Sequence, residues 1–212
     1  MPAQIYRLDS LLTGHSICVL KRNAFRRSTV IAKTSVFIAT SLDGFIARLD
    51  GSIDWLNQAN ATVPNGEDCG YESFMATVDV IIMGRNTFEQ VLSFGEWPYG
   101  DTKVVVLSRK GVLIPDAIAN TVSCSKETPE LLVERLSSEG AQHLYIDGGQ
   151  TIQSFLSAGL INEFTITVIP ILLGEGKPLF GALNSDVLLK HISTNAYAFD
   201  FVQSKYSIVK DT

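Results

Sequence analysis

The chain has 212 residues, of which 46% are hydrophobic and 18% charged, as expected for a globular protein with one hydrophobic core. No apolar run approaches the ~20 residues that a membrane-spanning helix needs. The formal net charge of −5 argues against a general nucleic-acid binder, which usually carries a basic face. The composition therefore predicts no membrane partner and no nucleic-acid partner.

The cysteines and histidines are few and scattered along the chain. No Cys-x-x-Cys pair and no Cys/His cluster occurs, so we expect neither a zinc site nor a disulfide framework. We therefore predict that the three cysteines are reduced thiols and that the protein is cytoplasmic. The residues concerned are Cys18, Cys69, Cys124, His15, His143 and His191.

The first 33 residues differ in charge from the rest, because they hold six Lys/Arg and only one acidic residue, Asp9. A basic, acid-poor leader is compatible with a targeting peptide. A misplaced start codon or a frayed extension is the simpler explanation. We predict that residues 1–33 lie outside the fold and that residues 34–212 form one domain.

From Ser35 onward the pattern alternates between strands and helices. Strands take short apolar or β-branched runs, and helices take longer amphipathic ones. In chain order we predict strand Ser35–Thr40, a turn at 42–44, helix Tyr71–Thr77, strand Val80–Met83, helix Thr87–Leu92 and strand Lys103–Leu107.

The second half continues in the same way before the helices stop. Ser125 or Thr128 can cap the next helix, because Pro129 suits a first helical position. The elements are strand Thr121–Cys124, helix Pro129–Ser138, strand His143–Ile146, helix Thr151–Ala158 and strands Glu163–Ile169, Val187–Thr194 and Phe199–Val209. The last two strands are predicted to form a hairpin through Asn195 and Ala196. This order predicts an α/β fold: a mostly parallel central sheet with helices on both faces and an antiparallel C-terminal edge.

Two strand-to-helix turns carry the strongest functional signal. The strand ending at Met83 is followed by Gly84 and Arg85, and the strand ending at Ile146 by a glycine pair. Backbone N–H groups and the helix dipole make such turns anion sites, and an arginine adds a planar fork of donors. Two phosphate-type turns in one chain indicate a dinucleotide.

A basic loop, Ser108-Arg109-Lys110, follows the strand that ends at Leu107. In nucleotide folds an acid at such a strand end holds the ribose hydroxyls of NAD, whereas cations accept the extra phosphate of NADP. A solvated surface loop is the simpler alternative. Together with Arg85, the basic loop favours NADPH.

Five motifs, in this order and spacing, resemble the dihydrofolate reductase superfamily. Two of them look more like one branch, the reductase domain at the C-terminus of the bifunctional riboflavin-biosynthesis deaminase-reductase and its stand-alone relatives. The motifs are Ser41-Leu42-Asp43-Gly44-Phe45-Ile46-Ala47, Met83-Gly84-Arg85-Asn86-Thr87-Phe88-Glu89, Val105-Val106-Leu107-Ser108, Ile146-Asp147-Gly148-Gly149 and the run from Val168 to Phe180. The resemblance covers residue 34 to the end and implies a dihydrofolate reductase-like three-layer fold.

The resemblance implies a set of NADPH-binding residues. Phosphate contacts fall on Gly84, Arg85, Asn86 and Thr87, and contacts near the 2′-phosphate fall on Ser108 and Arg109. The pyrophosphate side takes Gly148, Gly149, Gln150, Thr151 and Ile152, and the nicotinamide is flanked by Ala39 and Ile46. Leu107 and Asp147, at the ends of their strands, complete the cofactor-binding set.

The same comparison gives candidates for catalysis. Asp68 falls where dihydrofolate reductases keep the carboxylate that contacts the pterin, and Glu72, one helical turn on, is its rival. A carboxylate in an apolar pocket can have a raised pKa and assist protonation of a C=N nitrogen. A solvent-facing acid before or on a short helix is an equally good explanation for both residues. Trp55 and Tyr71 could stack on a planar substrate, although a core or rim role suits both equally.

These observations predict an NADPH-dependent reductase that delivers hydride to a C=N bond of a pyrimidine- or pterin-like substrate. By resemblance, the substrate would be similar to that of 5-amino-6-(5-phosphoribosylamino)uracil reductase, and the protein would be a homodimer. True dihydrofolate reduction and a catalytically silent NADPH-binding or dimerisation module remain alternatives.

Overall fold

A computed structural model describes residues 30–209, and the greater part of the predicted N-terminal extension lies outside this range. Strands are β1 Lys33–Ser41, β2 Phe45–Ala47, β3 Val80–Gly84, β4 Lys103–Leu107, β5 Val122–Ser125, β6 His143–Asp147, β7 Glu163–Ile169, β8 Lys177–Pro178, β9 Leu189–Ala196 and β10 Val202–Ile208. Helices are α1 Asp54–Asn60, α2 Tyr71–Met75, α3 Arg85–Ser93, α4 Pro129–Ser138 and α5 Gly149–Ser157, with a 3-10 helix at Asp116–Ile118. None of the helices in this range is long and apolar enough to cross a membrane.

An eight-stranded sheet organises the domain, in the order β5-β4-β3-β6-β1-β7-β10-β9. The strands from β5 to β7 are parallel, whereas β10 is antiparallel to β7 and β9 is antiparallel to β10. This confirms the predicted mostly parallel sheet with an antiparallel C-terminal edge. Strands β2 and β8 pair separately as a two-stranded sheet.

Helices cover both faces of the sheet because alternate residues of each buried strand point to opposite sides. In β3, Val80 and Ile82 pack with α4 and α5 in one core, while Ile81 and Met83 pack with α2 and α3 in the other. All four side chains are 3% exposed or less. The continuous apolar run of β3 therefore reflects a strand that is buried on both faces.

The first strand starts slightly earlier than predicted. β1 begins at Lys33, and Ala32 is buried with its N–H donated to the Ser137 hydroxyl at 2.9 Å. At α4, Thr128 is the residue that caps, since its hydroxyl accepts the Leu131 N–H.

The predicted position of the last turn is wrong. Asn195 and Ala196 belong to β9, and Ala196 still pairs with Val202. The chain reverses after them, where the Tyr197 N–H donates to the Phe201 carbonyl at 2.8 Å. Asp200 adopts a φ of 69° there, a conformation that aspartate tolerates better than most residues.

Candidate functional site

The carboxyl ends of β3 and β6 lie side by side although β4 and β5 come between them in sequence. The chain runs outward from β3 to β5 and then returns to the other side of β3 with β6. Ligands of open α/β sheets bind outside the carboxyl ends of the strands at such a switch point. A cleft of about 1580 Å³ opens there, larger than the roughly 300–1,000 Å³ of a single ligand pocket. The cleft has room for a cofactor and a substrate together.

The two glycine turns at this point pack against each other reciprocally. A β-carbon on Gly84 would lie 3.1 Å from the Thr151 hydroxyl, and one on Gly148 would overlap the Thr87 hydroxyl. Gly148 also has a φ of +85°, which favours glycine. Thr87 and Thr151 belong to the first turns of α3 and α5, so the turns hold both helix N-termini next to each other.

Neither of these two helices is capped by a side chain at its N-terminus, whereas α4 is capped by Thr128. The first amides of a helix need a partner from outside the helix. In combination with the helix dipole they bind anions. Two uncapped N-termini beside one cleft therefore suit a diphosphate.

Cations extend from the turns along one half of the cleft. Arg85 opens α3 after β3, Arg109 and Lys110 follow β4, and Lys126 follows β5. Lys126 was not among the predicted residues, although it follows its strand as Arg109 follows β4. The neighbouring Glu127 is paired with Arg135 at 2.9 Å, which lowers the pKa of Glu127 and offsets its charge. Arg85 has Glu89 at 4.0 Å, but the cations still outnumber the acids in this half of the cleft, which suits phosphate groups.

A carboxylic acid lies on the other side of the switch point. Asp147 ends β6 and lines the cleft, and burial raises the pKa of its carboxyl group to about 6. The Gly148 N–H donates to Asp147 Oδ1 at 2.8 Å and partly opposes this shift. Asp147 was predicted only as a cofactor-binding residue.

Strands β2 and β8 cover the N-terminus of α5. A β-carbon on Gly149 would lie 2.8 Å from Ile46 Cδ1 and 3.4 Å from the Pro178 carbonyl oxygen. The missing side chain of Gly149 therefore allows the two strands to lie directly on the turn. Ala39 and Ile46, predicted to flank a nicotinamide, both line the cleft here.

The structure brings the predicted cofactor residues together, with one exception. Ile152 is fully buried in the core and does not line the cleft. The cleft-lining residues are Ala39, Ile46, Gly84, Arg85, Asn86, Thr87, Leu107, Ser108, Arg109, Asp147, Gly148, Gly149, Gln150 and Thr151. The Ser108 hydroxyl donates to the Gly111 carbonyl at 2.9 Å and thereby shapes the basic loop.

The predicted environment of the catalytic candidates is wrong. Asp68 is exposed, does not line the cleft, and accepts the backbone N–H groups of Gly70 and Glu72 at 2.8 and 2.6 Å. These hydrogen bonds lower the pKa of Asp68, whereas a proton donor needs a raised one. Glu72 is exposed as well and also lies outside the cleft. Asp68 therefore stabilises the start of α2.

The predicted stacking residues do not line the cleft either. Trp55 is 1% exposed and packs with Ile169 and Phe201, so its ring is a core residue and offers no face to a substrate. Tyr71 is half-buried and meets the ring of Phe37 edge-on at 5.5 Å. Burial, with a smaller contribution from Asp147, raises the pKa of Tyr71 to about 12. Within residues 30–209, no group of three His, Cys, Asp or Glu residues could hold a metal ion.

Comparison with known proteins gives a consistent result. The RibD C-terminal domain family matches residues 32–202. The chain is 37% identical to the Bacillus subtilis (strain 168) protein YwjB over 168 residues, which cover 78% of this chain and 92% of YwjB.

Two solved structures show the same fold. A candidate riboflavin biosynthesis protein from Shewanella sp. PV-4 has a TM-score of 0.79 and 41% identity, covering 84% of this chain and 99% of that chain. The second is the Thermotoga maritima diaminohydroxyphosphoribosylaminopyrimidine deaminase/5-amino-6-(5-phosphoribosylamino)uracil reductase. It has a TM-score of 0.64 and 15% identity, covering 84% of this chain and 57% of that chain. At that identity the second likeness shows the fold alone.

Proposed function

Because the chain belongs to the RibD C-terminal domain family, we propose that it is an NADPH-dependent reductase acting on a C=N bond of a pyrimidine- or pterin-like heterocycle. The observation that carries the proposal is the pair of uncapped helix N-termini, locked together by the Gly84–Thr151 and Gly148–Thr87 contacts. The row of cations beside them is the second support.

The residues of the cleft fit the parts of NADPH in order along the sheet. The diphosphate would be held by the N-termini of α3 and α5 together with Arg85, and the 2′-phosphate by Arg109 and Lys126. The nicotinamide would lie towards Ala39 and Ile46, where β1 and β2 provide apolar side chains beside the glycine turn.

The bound nicotinamide would supply hydride to the carbon of the C=N bond. The nitrogen then needs a proton, and Asp147 is the cleft-lining acid whose pKa burial raises, to about 6, so that its protonated form is available below that pH. Asp147 would donate this proton to the nitrogen, which gives the amine product. The carboxylate would then take up a proton from the solvent, so that the carboxyl group is restored. The apolar β1 and β2 side chains would limit access of water to the reacting atoms.

A substrate similar to 5-amino-6-(5-phosphoribosylamino)uracil is the first candidate. It is motivated by the family and by the riboflavin biosynthesis role named for the Shewanella sp. PV-4 protein. We further propose a cytoplasmic location, in which Cys69 and Cys124, free in the structure, stay reduced.

The test has two stages. Titration with NADPH and NADH should show tighter binding of NADPH, and equal or absent binding would contradict the cofactor assignment. Loss of NADPH absorbance is then followed with the deaminated riboflavin-pathway ribosylaminopyrimidine, related pyrimidines and dihydrofolate. Turnover of dihydrofolate alone would indicate a true dihydrofolate reductase, and NADPH binding without oxidation by any heterocycle would indicate a silent module.

A further inference from the structure

The two-stranded sheet of β2 and β8, residues 45–47 and 177–178, forms a flap over the glycine turn of α5 (the β2–β8 flap). Its pairing is short, with Phe45 opposite Pro178 and Ala47 opposite Lys177. So few ladder hydrogen bonds do not hold two strands together in water. The position of the flap must therefore depend on contacts outside its own pairing.

One of these contacts ties β8 to α5. The Gln153 side-chain amide donates to the carbonyl oxygens of Pro178 and Leu179 at 3.1 and 3.2 Å. Gln153 is on the helix that begins at the glycine turn. This contact holds one strand of the flap but does not reach β2.

A second set of contacts joins the segments that lead into the two strands, and Asp43 contributes to it beside the backbone hydrogen bond from the Leu42 N–H to the Ile171 carbonyl at 2.8 Å. The Asp43 carboxylate accepts the backbone N–H groups of Leu173 and Gly174 at 3.0 and 2.7 Å, across 130 residues of sequence. It also accepts the hydroxyl of the buried Ser41 at 2.6 Å. Ser41 Oγ in turn accepts the N–H of Phe45, the first residue of β2, at 3.0 Å.

Asp43 does not line the cleft, so its influence on a ligand has to pass through the flap. Hydrogen bonds from backbone amides to a carboxylate are stronger than neutral ones. Three donors on one exposed carboxylate therefore fix the approach of the 173–174 segment to the turn before β2. Because Ile46 is the second residue of β2, we expect this approach to influence where Ile46 lies relative to Gly149.

We propose that Asp43 is a positioning residue for the cofactor: it clamps the β2–β8 flap so that Ile46 lies against the glycine turn and the nicotinamide site is preformed. The inference rests on the proposed function, since it names a residue that prepares the NADPH site. It assigns a role to the turn between β1 and β2, which touches no ligand.

The chain offers a matched control at the opposite end of the sheet. Asp79 is also exposed, and its carboxylate accepts two consecutive backbone N–H groups of a distant segment, those of Gln142 and His143, at 2.7 and 2.8 Å. Asp43→Asn and Asp79→Asn thus remove the same kind of clamp, one beside the cleft and one far from it.

The experiment measures NADPH affinity, kcat at saturating NADPH, thermal unfolding and amide hydrogen exchange for the wild type and both variants. We expect Asp43→Asn to raise the Kd for NADPH about tenfold. Exchange in residues 45–47 and 173–178 should become faster, and kcat at saturation should be retained, as expected when only uniform binding is lost. Asp79→Asn should lower the Tm with unchanged NADPH affinity.

The outcomes separate the inference from the proposed function. Wild-type protein that does not bind NADPH overturns both, whereas equal NADPH affinity of wild type and Asp43→Asn, or unchanged exchange in the flap, overturns the inference alone. A loss of affinity in Asp79→Asn equal to that in Asp43→Asn would show a general effect of stability and would also overturn it. If Asp43→Asn does not fold, Ser41→Ala, which removes the hydroxyl between Asp43 and Phe45, is compared with Asp79→Asn in the same way.

Discussion

The carboxylates of this chain differ in protonation because their surroundings differ. Asp68 accepts two backbone N–H groups at the surface, and these hydrogen bonds favour the charged form. Asp147 is desolvated at the end of a buried strand, and one N–H from Gly148 does not compensate. Burial at the switch point therefore identifies Asp147 as the candidate proton donor, whereas sequence spacing had pointed to Asp68.

The first prediction concerns the proton donor. Since the pKa of Asp147 is about 6 and its protonated form is the one that donates, the rate should fall as the pH rises above this value. Asp147→Asn should lower kcat by roughly 10²- to 10⁴-fold and abolish that dependence on pH. The asparagine oxygen can still accept the Gly148 N–H, so the Kd for NADPH should change little.

Asp68→Asn is the control for this prediction, because the sequence predicted Asp68 as a catalytic carboxylate but Asp68 lies outside the cleft. It should keep the wild-type kcat and pH profile. The reverse result, with a large loss of kcat in Asp68→Asn and none in Asp147→Asn, would contradict the assignment of Asp147.

The second prediction concerns the cations. Arg109→Ala and Lys126→Ala should each weaken NADPH about tenfold and leave NADH unchanged, because only NADPH has the 2′-phosphate. Arg85→Ala should weaken both cofactors, by ~1.5–3 kcal/mol if a charge-assisted bond to the shared diphosphate is lost. Fluorescence titration with both cofactors measures these affinities. If all three variants lose as much affinity for NADH as for NADPH, the assignment of Arg109 and Lys126 to the 2′-phosphate is wrong.

At the scale of elements, the site depends on how closely three segments approach: the turn before α3, the turn before α5 and the β2–β8 flap. Gly84 and Gly148 allow the first two to touch, and Gly149 allows the flap to rest on the second. The sequence predicted glycine turns before both helices. It did not predict the flap, because strands of two and three residues carry no readable periodicity.

The third prediction tests the contact between the flap and the turn. Gly149→Ala places a β-carbon 2.8 Å from Ile46 Cδ1, so the end of the Ile46 side chain has to move away from the glycine turn. We expect this displacement beside the nicotinamide site to raise the Kd for NADPH by roughly 3- to 10-fold. Valine lacks a Cδ1, so the double variant Gly149→Ala/Ile46→Val should recover most of the affinity. If the double variant binds NADPH as weakly as Gly149→Ala does, the contact with Ile46 is not the cause of the lost affinity.

At the scale of the whole molecule, the sheet ends in a strand that is exposed along its full length. All eight residues of β9 are exposed, including Leu189 at 43% and Ile192 at 47%. An edge strand with free backbone groups and apolar side chains is a template for pairing with another chain. We propose that a second copy covers this edge and forms the expected homodimer.

The fourth prediction follows from that proposal. The protein should have the mass of a dimer by size-exclusion chromatography with light scattering, and Ile192→Lys should shift it to the monomer, because a buried unpaired charge is costly. Leu113→Lys is the control, since Leu113 is 90% exposed but lies before the 3-10 helix. A monomeric wild type, or an Ile192→Lys variant that stays dimeric, would contradict dimerisation through β9.

Local features of this protein were predictable from the chain: the buried strand β3, the helix α4 with proline at its first position, and the strand-to-helix turns at Gly84 and Gly148. Their signals are periodicity, caps and glycines, which neighbouring residues carry. Three other features were not predictable and follow from the folded arrangement: Lys126 lines the same cleft as Arg109, burial raises the pKa of Asp147, and Trp55 belongs to the core. Each of these depends on which distant segments pack together, because burial and charge proximity are properties of the folded arrangement and not of position along the chain.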